Sequence, residues 1–248
     1  MKKSFYASTA LAVALTSLLL ACGGGGGSPG KIEGVGGTTG LPISNEIPVI
    51  SATSPDNSIS ISVGSGDTIS TTARDIKYRI VFAATVTDTD GRPIKGAKVN
   101  VTAQMLGYRK GTWRQLPDGL GFLTWQQDTL ASCANEDLNG NNILDVGEDT
   151  NNSGSLEPRI ASVVVGAVDG LNTTDSQGIV YIAVEYAKAD ATWLDYRLTV
   201  STTGVLGATE VTTAFDQRTA YAVGDESKDS SPFRTSRFGV QAGCNNTN

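Results

Sequence analysis

Residues 78–103 read Tyr78-Arg79-Ile80-Val81-Phe82-Ala83-Ala84-Thr85-Val86-Thr87-Asp88-Thr89-Asp90-Gly91-Arg92-Pro93-Ile94-Lys95-Gly96-Ala97-Lys98-Val99-Asn100-Val101-Thr102-Ala103. Tyr78, Ile80, Phe82, Ala84 and Val86 fall on one face of an extended chain, with Arg79, Thr85 and Thr87 largely on the other. The run Asp88 to Pro93 is dense in turn formers. Alternation then resumes from Ala97 to Ala103. Two strands joined by a short turn, each with one apolar face, predict an antiparallel sheet that is dry on one side. Val180 to Tyr186 alternates in the same way, and further strands are expected at Tyr196–Ser201 and Ala208–Phe215. No stretch keeps an i, i+3, i+4, i+7 apolar stripe long enough for a helix. The predicted class is all-β, a two-sheet antiparallel sandwich over residues 46–217.

Composition narrows the chemistry. The chain has 248 residues, 29 Gly, 3 Cys, no His and a formal charge of −6. Without imidazole there is no Ser–His–Asp triad, no Cys–His dyad, no histidine zinc site and no histidine pH switch. The acidic balance, with no basic stripe, argues against nucleic acid as a partner.

The run from Phe82 to Val99 resembles the bacterial immunoglobulin-like (Ig-like) domains of the invasin/intimin type, whose usual form is ATVTD-x-x-G-x-P-V-x-G-A-x-V. Thr174-Asp175-Ser176-Gln177-Gly178-Ile179-Val180 resembles their T-D-x-x-G-x-A-x-V segment. Leu198–Ser201 and Ala208–Val211 resemble the closing strand pair. The likeness spans roughly residues 57–216 and implies an Ig-like sandwich. It does not imply adhesion, because such domains often serve as spacers. It lapses at about 106–160, which reads as a long insertion.

Lys2 and Lys3 precede an apolar run from Ala10 to Ala21, too short to span a bilayer. The run ends Leu19-Leu20-Ala21-Cys22, which resembles a bacterial lipobox. That likeness implies that residues 1–21 are a signal peptide and that Cys22 is lipidated, anchoring the chain to a membrane. Gly23 follows Cys22 where an aspartate would favour inner-membrane retention, so the expected location is the outer membrane, on its periplasmic or surface face. Removing residues 1–21 takes away two of 19 basic residues and none of 25 acids, leaving −8. Residues 22–45 comprise the lipidated cysteine and a Gly-rich tether. The tether also fits G-x-S-x-G around Ser28, G-x-G-x-x-G at Gly25, Gly27 and Gly30, and S-x-x-K from Ser28 to Lys31. None lies between a strand and a helix, and these matches are expected by chance in a glycine run.

The chemistry lies in residues 136–158. Counted from Asp137, the order is that of an EF-hand loop. Asp137, Asn139 and Asn141 stand at positions 1, 3 and 5. Ile143 offers a carbonyl at 7, Asp145 stands at 9 and Glu148 at 12. Asn142 takes position 6, where glycine is usual. A second count begins at Asp149, with Asn151, Ser153, Ser155 and Glu157 at positions 3, 5, 7 and 9. Its position 12 is Ile160, so this half is expected to bind weakly or to share a cation with the first. The oxygen-only donor set predicts Ca²⁺ as cofactor. Ile160 to Val165 downstream reads as strand. The segment therefore resembles helix-free calcium loops of the dockerin-like or thrombospondin type 3-like kind rather than a true EF-hand.

With Cys22 lipidated, Cys133 and Cys244 are left, and a secreted chain most simply pairs them. The bridge would anchor the C-terminal tail, residues 218–248. Cys133 to Asp137 followed by the loop and a late Cys also resembles proteobacterial Ig-like lipoproteins. Trp193 and Tyr196 are expected in the core. Trp113 and Trp125 flank a Gly-rich stretch and could form an exposed pair.

The expected function is non-enzymatic: a lipid-anchored envelope protein presenting a Ca²⁺-stabilised Ig-like domain to an envelope protein partner, or in a structural role. The alternative is a glycan-binding module using Trp113 or Trp125. A hydrolase ranks third, because no nucleophile has an identifiable base.

Overall fold

The alternation in residues 78–103 becomes two strands in opposite sheets. The computed structural model describes residues 50–53, 59–65, 69–72, 74–203 and 210–248. The expected signal peptide, the expected lipidation site Cys22 and the expected tether lie outside these residues. Ten strands follow in order: β1 (Ile50–Thr53), β2 (Ile59–Ser65), β3 (Ser70–Thr71), β4 (Lys77–Asp88), β5 (Lys98–Pro117), β6 (Leu123–Ala134), β7 (Val163–Ala167), β8 (Ile179–Ala187), β9 (Leu194–Thr203) and β10 (Val211–Arg218). The only helical elements among the described residues are short 3-10 turns. No helix there is long and apolar enough to cross a membrane.

One sheet has the order β1-β2-β4-β8-β7, with β3 also on β4; the other has β10-β9-β5-β6. Every pairing is antiparallel. The apolar face of β4 is buried at each predicted position, Tyr78, Ile80, Phe82, Ala84 and Val86. It meets Val180, Ile182, Val184 and Tyr186 of β8 in the same sheet, and Leu198, Val200 and Phe215 from the other. Phe82 and Phe215 join the two layers, with ring centroids 5.6 Å apart. The fold is thus an all-β antiparallel sandwich. Trp193 and Tyr196 are fully buried, as expected.

The structure departs from the sequence reading in β5. That reading assigns residues 106–134 to an insertion, yet they are mostly strand. β5 pairs with β9 from Lys98 to Tyr108, then continues to Pro117 with β6 alone on that side. Two irregularities explain why alternation hides this. The register shifts between Met105 and Gly107 on the β9 side, and between Lys110 and Gly111 on the β6 side. The extra residue is Leu106 of β5 in the first case and Leu130 of β6 in the second, and each inverts the in–out phase of its own strand, so a period-two pattern cannot persist along either. Gly111 is required there. Its φ is +144°, and a Cβ would lie 2.1 Å from the Asp128 carbonyl oxygen.

The C-terminal tail lies along the other edge of this ribbon. Trp113 N–H donates to Arg234 O at 2.7 Å, and Gly111 N–H to Gly239 O at 2.9 Å. Ser236 N–H returns a bond to Gly111 O at 3.0 Å. Phe233 is fully buried, stacked on Tyr221 and edge-on to Trp113. Trp193 Nε1–H donates to Phe233 O at 2.7 Å. Lys110 is also fully buried and donates to Gly243 O, Asn246 O and Asn246 Oδ1 at 3.2, 2.8 and 2.7 Å. Burial lowers its pKa. The tail is therefore an integral part of the core.

Asp190, in the 3-10 turn between β8 and β9, is buried with Arg237 Nε 2.7 Å from Oδ1. Burial outweighs that pairing and pushes the Asp190 carboxyl up to about 6. The folded chain then keeps a proton that the unfolded chain, at the ordinary 3.8, releases. Stability contributed by this group therefore falls as pH rises from about 4 to about 6, by about 3 kcal/mol in all. Denaturant midpoints measured from pH 4 to pH 7 should show this fall, and Asp190→Asn should flatten it by that amount.

Candidate metal centre

β6 ends at Ala134, and Asn135 pins the turn that follows. Its N–H donates to Leu106 O at 3.0 Å and its Nδ2 to Met105 O at 3.2 Å. Two twelve-residue loops then run in tandem, Asp137–Glu148 and Asp149–Ile160, and their hydrogen bonds repeat. Position 1 receives backbone N–H groups in both. Asp137 accepts from Gly140, Asn141 and Asn142 at 2.8, 3.1 and 3.0 Å. Asp149 accepts from Ser153 and Gly154 at 2.8 and 2.9 Å. Position 3 accepts from the N–H of position 5: Asn139 from Asn141, and Asn151 from Ser153, each at 2.9 Å. The amide of position 3 also donates to the carboxylate of position 9. Asn139 reaches Asp145 at 2.9 Å, and Asn151 reaches Glu157 at 2.6 Å. Position 6 is left-handed in both loops, Asn142 at φ 61° and Gly154 at φ 78°. Asn tolerates that conformation, so it stands in for glycine.

The closing acid is the decisive feature. In the first loop Glu148 accepts from the N–H groups of positions 2 and 9, Leu138 and Asp145, each at 3.0 Å. In the second loop position 12 is Ile160, which is 53% exposed and starts a 3-10 turn. The corresponding N–H groups of positions 2 and 9, Thr150 and Glu157, donate instead to Glu136 at 3.2 and 3.0 Å. Glu136 and Glu148 are 3% and 4% exposed. Glu136 therefore does for the second loop what Glu148 does for the first. The sequence reading missed it because it lies before the loop it closes. Its signal was the repeat of Glu-Asp at 136–137 and 148–149, twelve residues apart.

Position 8 is the apolar anchor in both loops. Leu144 and Leu156 line a groove of about 620 Å³ against Ala103 and Met105 of β5. Asn151 Nδ2 also donates to the OH of buried Tyr108 at 3.4 Å, tying the second loop to the core. Ser153 Oγ donates to Ser155 O at 2.9 Å. Ile143 has a hydrocarbon side chain, so only its backbone carbonyl could serve as a ligand.

The electrostatics point the same way. Among the described residues, ion pairs engage Asp75, Asp90, Asp128, Glu185, Asp190, Asp195, Asp216 and Asp225. None of those pairs uses Glu136, Asp137, Asp145, Glu148, Asp149 or Glu157. The amides of Asn139 and Asn141 hold Asp145 below the usual carboxylate range, whereas burial raises Glu136. No three His, Cys, Asp or Glu side chains stand close enough together, among the described residues, to hold a metal. The three acids of each loop, Asp137, Asp145 and Glu148 in the first and Asp149, Glu157 and Glu136 in the second, are therefore not gathered around a common point in this structure, and they would have to draw together around an ion. Each carbonyl or carboxylate oxygen that accepts one N–H keeps a second lone pair. That donor set, all oxygen with no sulfur or imidazole, fits a hard cation.

The two tryptophans do not form an exposed pair, and that expectation is corrected. Trp113 is 7% exposed and packs edge-on to Tyr221 and Phe233. Trp125 carries the Arg234 guanidinium 3.6 Å over its ring. The aromatic content that a sugar platform would need is spent on seating the tail.

Cys133 and Cys244 are bonded, 111 positions apart. No protein-family model, curated protein or solved structure matches this chain. The bridge joins Cys133, the penultimate residue of β6, to the end of the tail. A closed loop of ~100 residues contributes about 4.7 kcal/mol in the chain-entropy treatment. Cys244→Ser should accordingly lower unfolding free energy by roughly 3–5 kcal/mol, read from denaturant midpoints without reductant. Adding reductant to the parent chain should reproduce the loss.

Proposed function

We propose that this chain is a non-enzymatic, lipid-anchored envelope protein. Its Ig-like sandwich carries two Ca²⁺ loops and serves an envelope protein partner or a structural role. The supporting observation is the hydrogen-bond pattern repeated in both loops, down to a closing glutamate for each. In this reading Asp137, Asn139, Asn141, Ile143 O, Asp145 and Glu148 hold one ion. Asp149, Asn151, Ser153, Ser155 O, Glu157 and Glu136 hold the other. The bound cations neutralise acids that have no lysine or arginine partner in the structure and fix the loops against β5. The lipobox-like Cys22 and the tether support attachment to the outer membrane, and the likeness of residues 82–99 and 174–180 supports the Ig-like assignment. The buried Trp113 and covered Trp125 weigh against the glycan-binding reading.

The two sites should be coupled. Glu136 closes the second loop and directly precedes Asp137, which opens the first. Glu148 closes the first loop and directly precedes Asp149, which opens the second. Ordering either loop therefore places a ligand of the other. Calorimetric titration of chelated protein with CaCl₂ should give a stoichiometry of two. Glu136→Gln and Glu148→Gln should each remove one site and weaken the survivor. Ca²⁺ should also slow proteolysis between Cys133 and Pro158. A flat titration would overturn the reading.

A further inference from the structure

The β5–β6 ribbon ends in an apolar tip that nothing in the sandwich uses. Beyond Tyr108, where β9 stops, β5 runs from Arg109 to Pro117, about 30 Å at ~3.3 Å per residue. At its end Leu120, Phe122 and Leu123 are 84%, 69% and 65% exposed, and Leu116 is exposed beside them. Large apolar side chains gathered in this way mark a contact surface.

Three observations identify the partner as a lipid bilayer. First, the turn is satisfied internally. Asp118 Oδ1 accepts from Leu120 and Phe122 N–H, each at 2.9 Å. Asp118 N–H donates to Phe122 O at 2.7 Å, and Gly121 N–H to Asp118 O at 3.0 Å. The one charge in the turn is thus spent on the backbone, which lowers the cost of taking these groups out of water. Second, the next rung down has the chemistry of a membrane interface. Trp125 faces Gln115 across the ribbon and bears Arg234, and Arg114 follows on the adjacent rung, paired to Asp128 at 3.1 Å. Below the apolar end come a half-buried Trp and a paired Arg, residue types that suit the level at which an inserted tip would meet the membrane interface. Third, the chain joins the sandwich from this end. β4 runs away from the ribbon's end and β5 runs toward it; β2 is antiparallel to β4, and β1 to β2. β1 therefore enters its sheet from the side on which the ribbon projects. The sequence places 27 residues between Cys22 and Ile50, and a Gly-rich coil of that length would have an r.m.s. reach of roughly 30 Å, comparable to the ribbon.

We propose that the Leu116–Leu123 tip inserts into the bilayer to which Cys22 anchors the chain, holding the sandwich upright on it. The inference rests on the lipid-anchored reading for the identity of the membrane, and its test separates the two.

The full chain, purified from membranes, is labelled with an environment-sensitive fluorophore at Leu120→Cys, or at Leu171→Cys on the opposite end. Each is mixed with vesicles of phosphatidylethanolamine and phosphatidylglycerol (3:1) containing brominated acyl chains. Quenching at position 120 should exceed that at 171 at least fivefold and survive 0.5 M NaCl, because the contact is apolar. Adding Phe122→Asp and Leu123→Asp should abolish the difference while leaving the denaturant midpoint unchanged. Equal quenching at the two positions, or loss of the signal in salt, overturns the proposal. So does dimerisation through the tip without quenching. The mass of the N-terminal peptide reports acylation independently. A chain without acyl groups that is still quenched at 120 would refute the anchor and keep the tip.

Discussion

β5 outruns its neighbour. At Tyr108 it leaves β9, and a strand that continues past its partner must find new acceptors and donors for one whole edge. The tail supplies them through Arg234, Ser236 and Gly239. Apolar side chains accompany the hydrogen bonds: the Phe233 ring packs on Trp113 and Tyr221, and the ring centroids of Phe238 and Tyr108 are 4.6 Å apart. The disulfide then fixes the far end of the tail to the return strand. Without the tail, the ribbon would be two strands with no third neighbour, which is marginal in water.

The same overrun sets where the loops sit. β6 must come back along β5, so it delivers residue 135 beside Met105, at the level where β9 and β5 still pair. The loops are thereby laid against a rigid part of the sheet, with Leu144 and Leu156 turned toward it. Their carboxylates face their own backbone N–H groups, while the basic side chains of the sandwich are matched to other acids. Arg109 and Arg218 both grip Asp195, and Lys188 bridges Asp75 and Asp225. The body also has acids that answer to amide N–H groups rather than to a cation, Asp88, Asp118 and Asp175 in its turns, but only in the loops do six such acids fall within 22 residues.

Much of this was legible locally. The faces of β4 and β8, the turn at Asp88–Pro93 and the buried Trp193 follow from period-two spacing and turn chemistry, which act over a few residues. The turning path of the first loop was legible because Asp and Asn recur at fixed offsets from Asp137. The bridge was legible by elimination once Cys22 was assigned to lipid. The missed features have no local signature. One extra residue in β5, Leu106, and one in β6, Leu130, broke the alternation of both strands, so strand looked like insertion. Phe233 and Phe238 sit in a polar tail whose core role arises only when it meets residues more than a hundred positions away.

Glu136 shows a subtler kind of illegibility. A motif count runs forward, so it finds Ile160 at the twelfth position and stops. The physical requirement is different: a carboxylate must face the N–H groups of positions 2 and 9, wherever in the chain it originates. Because Glu136 N–H donates to Glu157 O at 3.0 Å, the start of the first loop and the end of the second are neighbours in space. The tandem closes on itself, and the residue before the first loop becomes equivalent to the residue that would close the second. A repeat of twelve with Glu-Asp at each junction makes that closure possible, since each junction offers one acid backward and one forward. Glu148 is used in one direction and Glu136 in the other, so a pair of loops needs no acid at position 160.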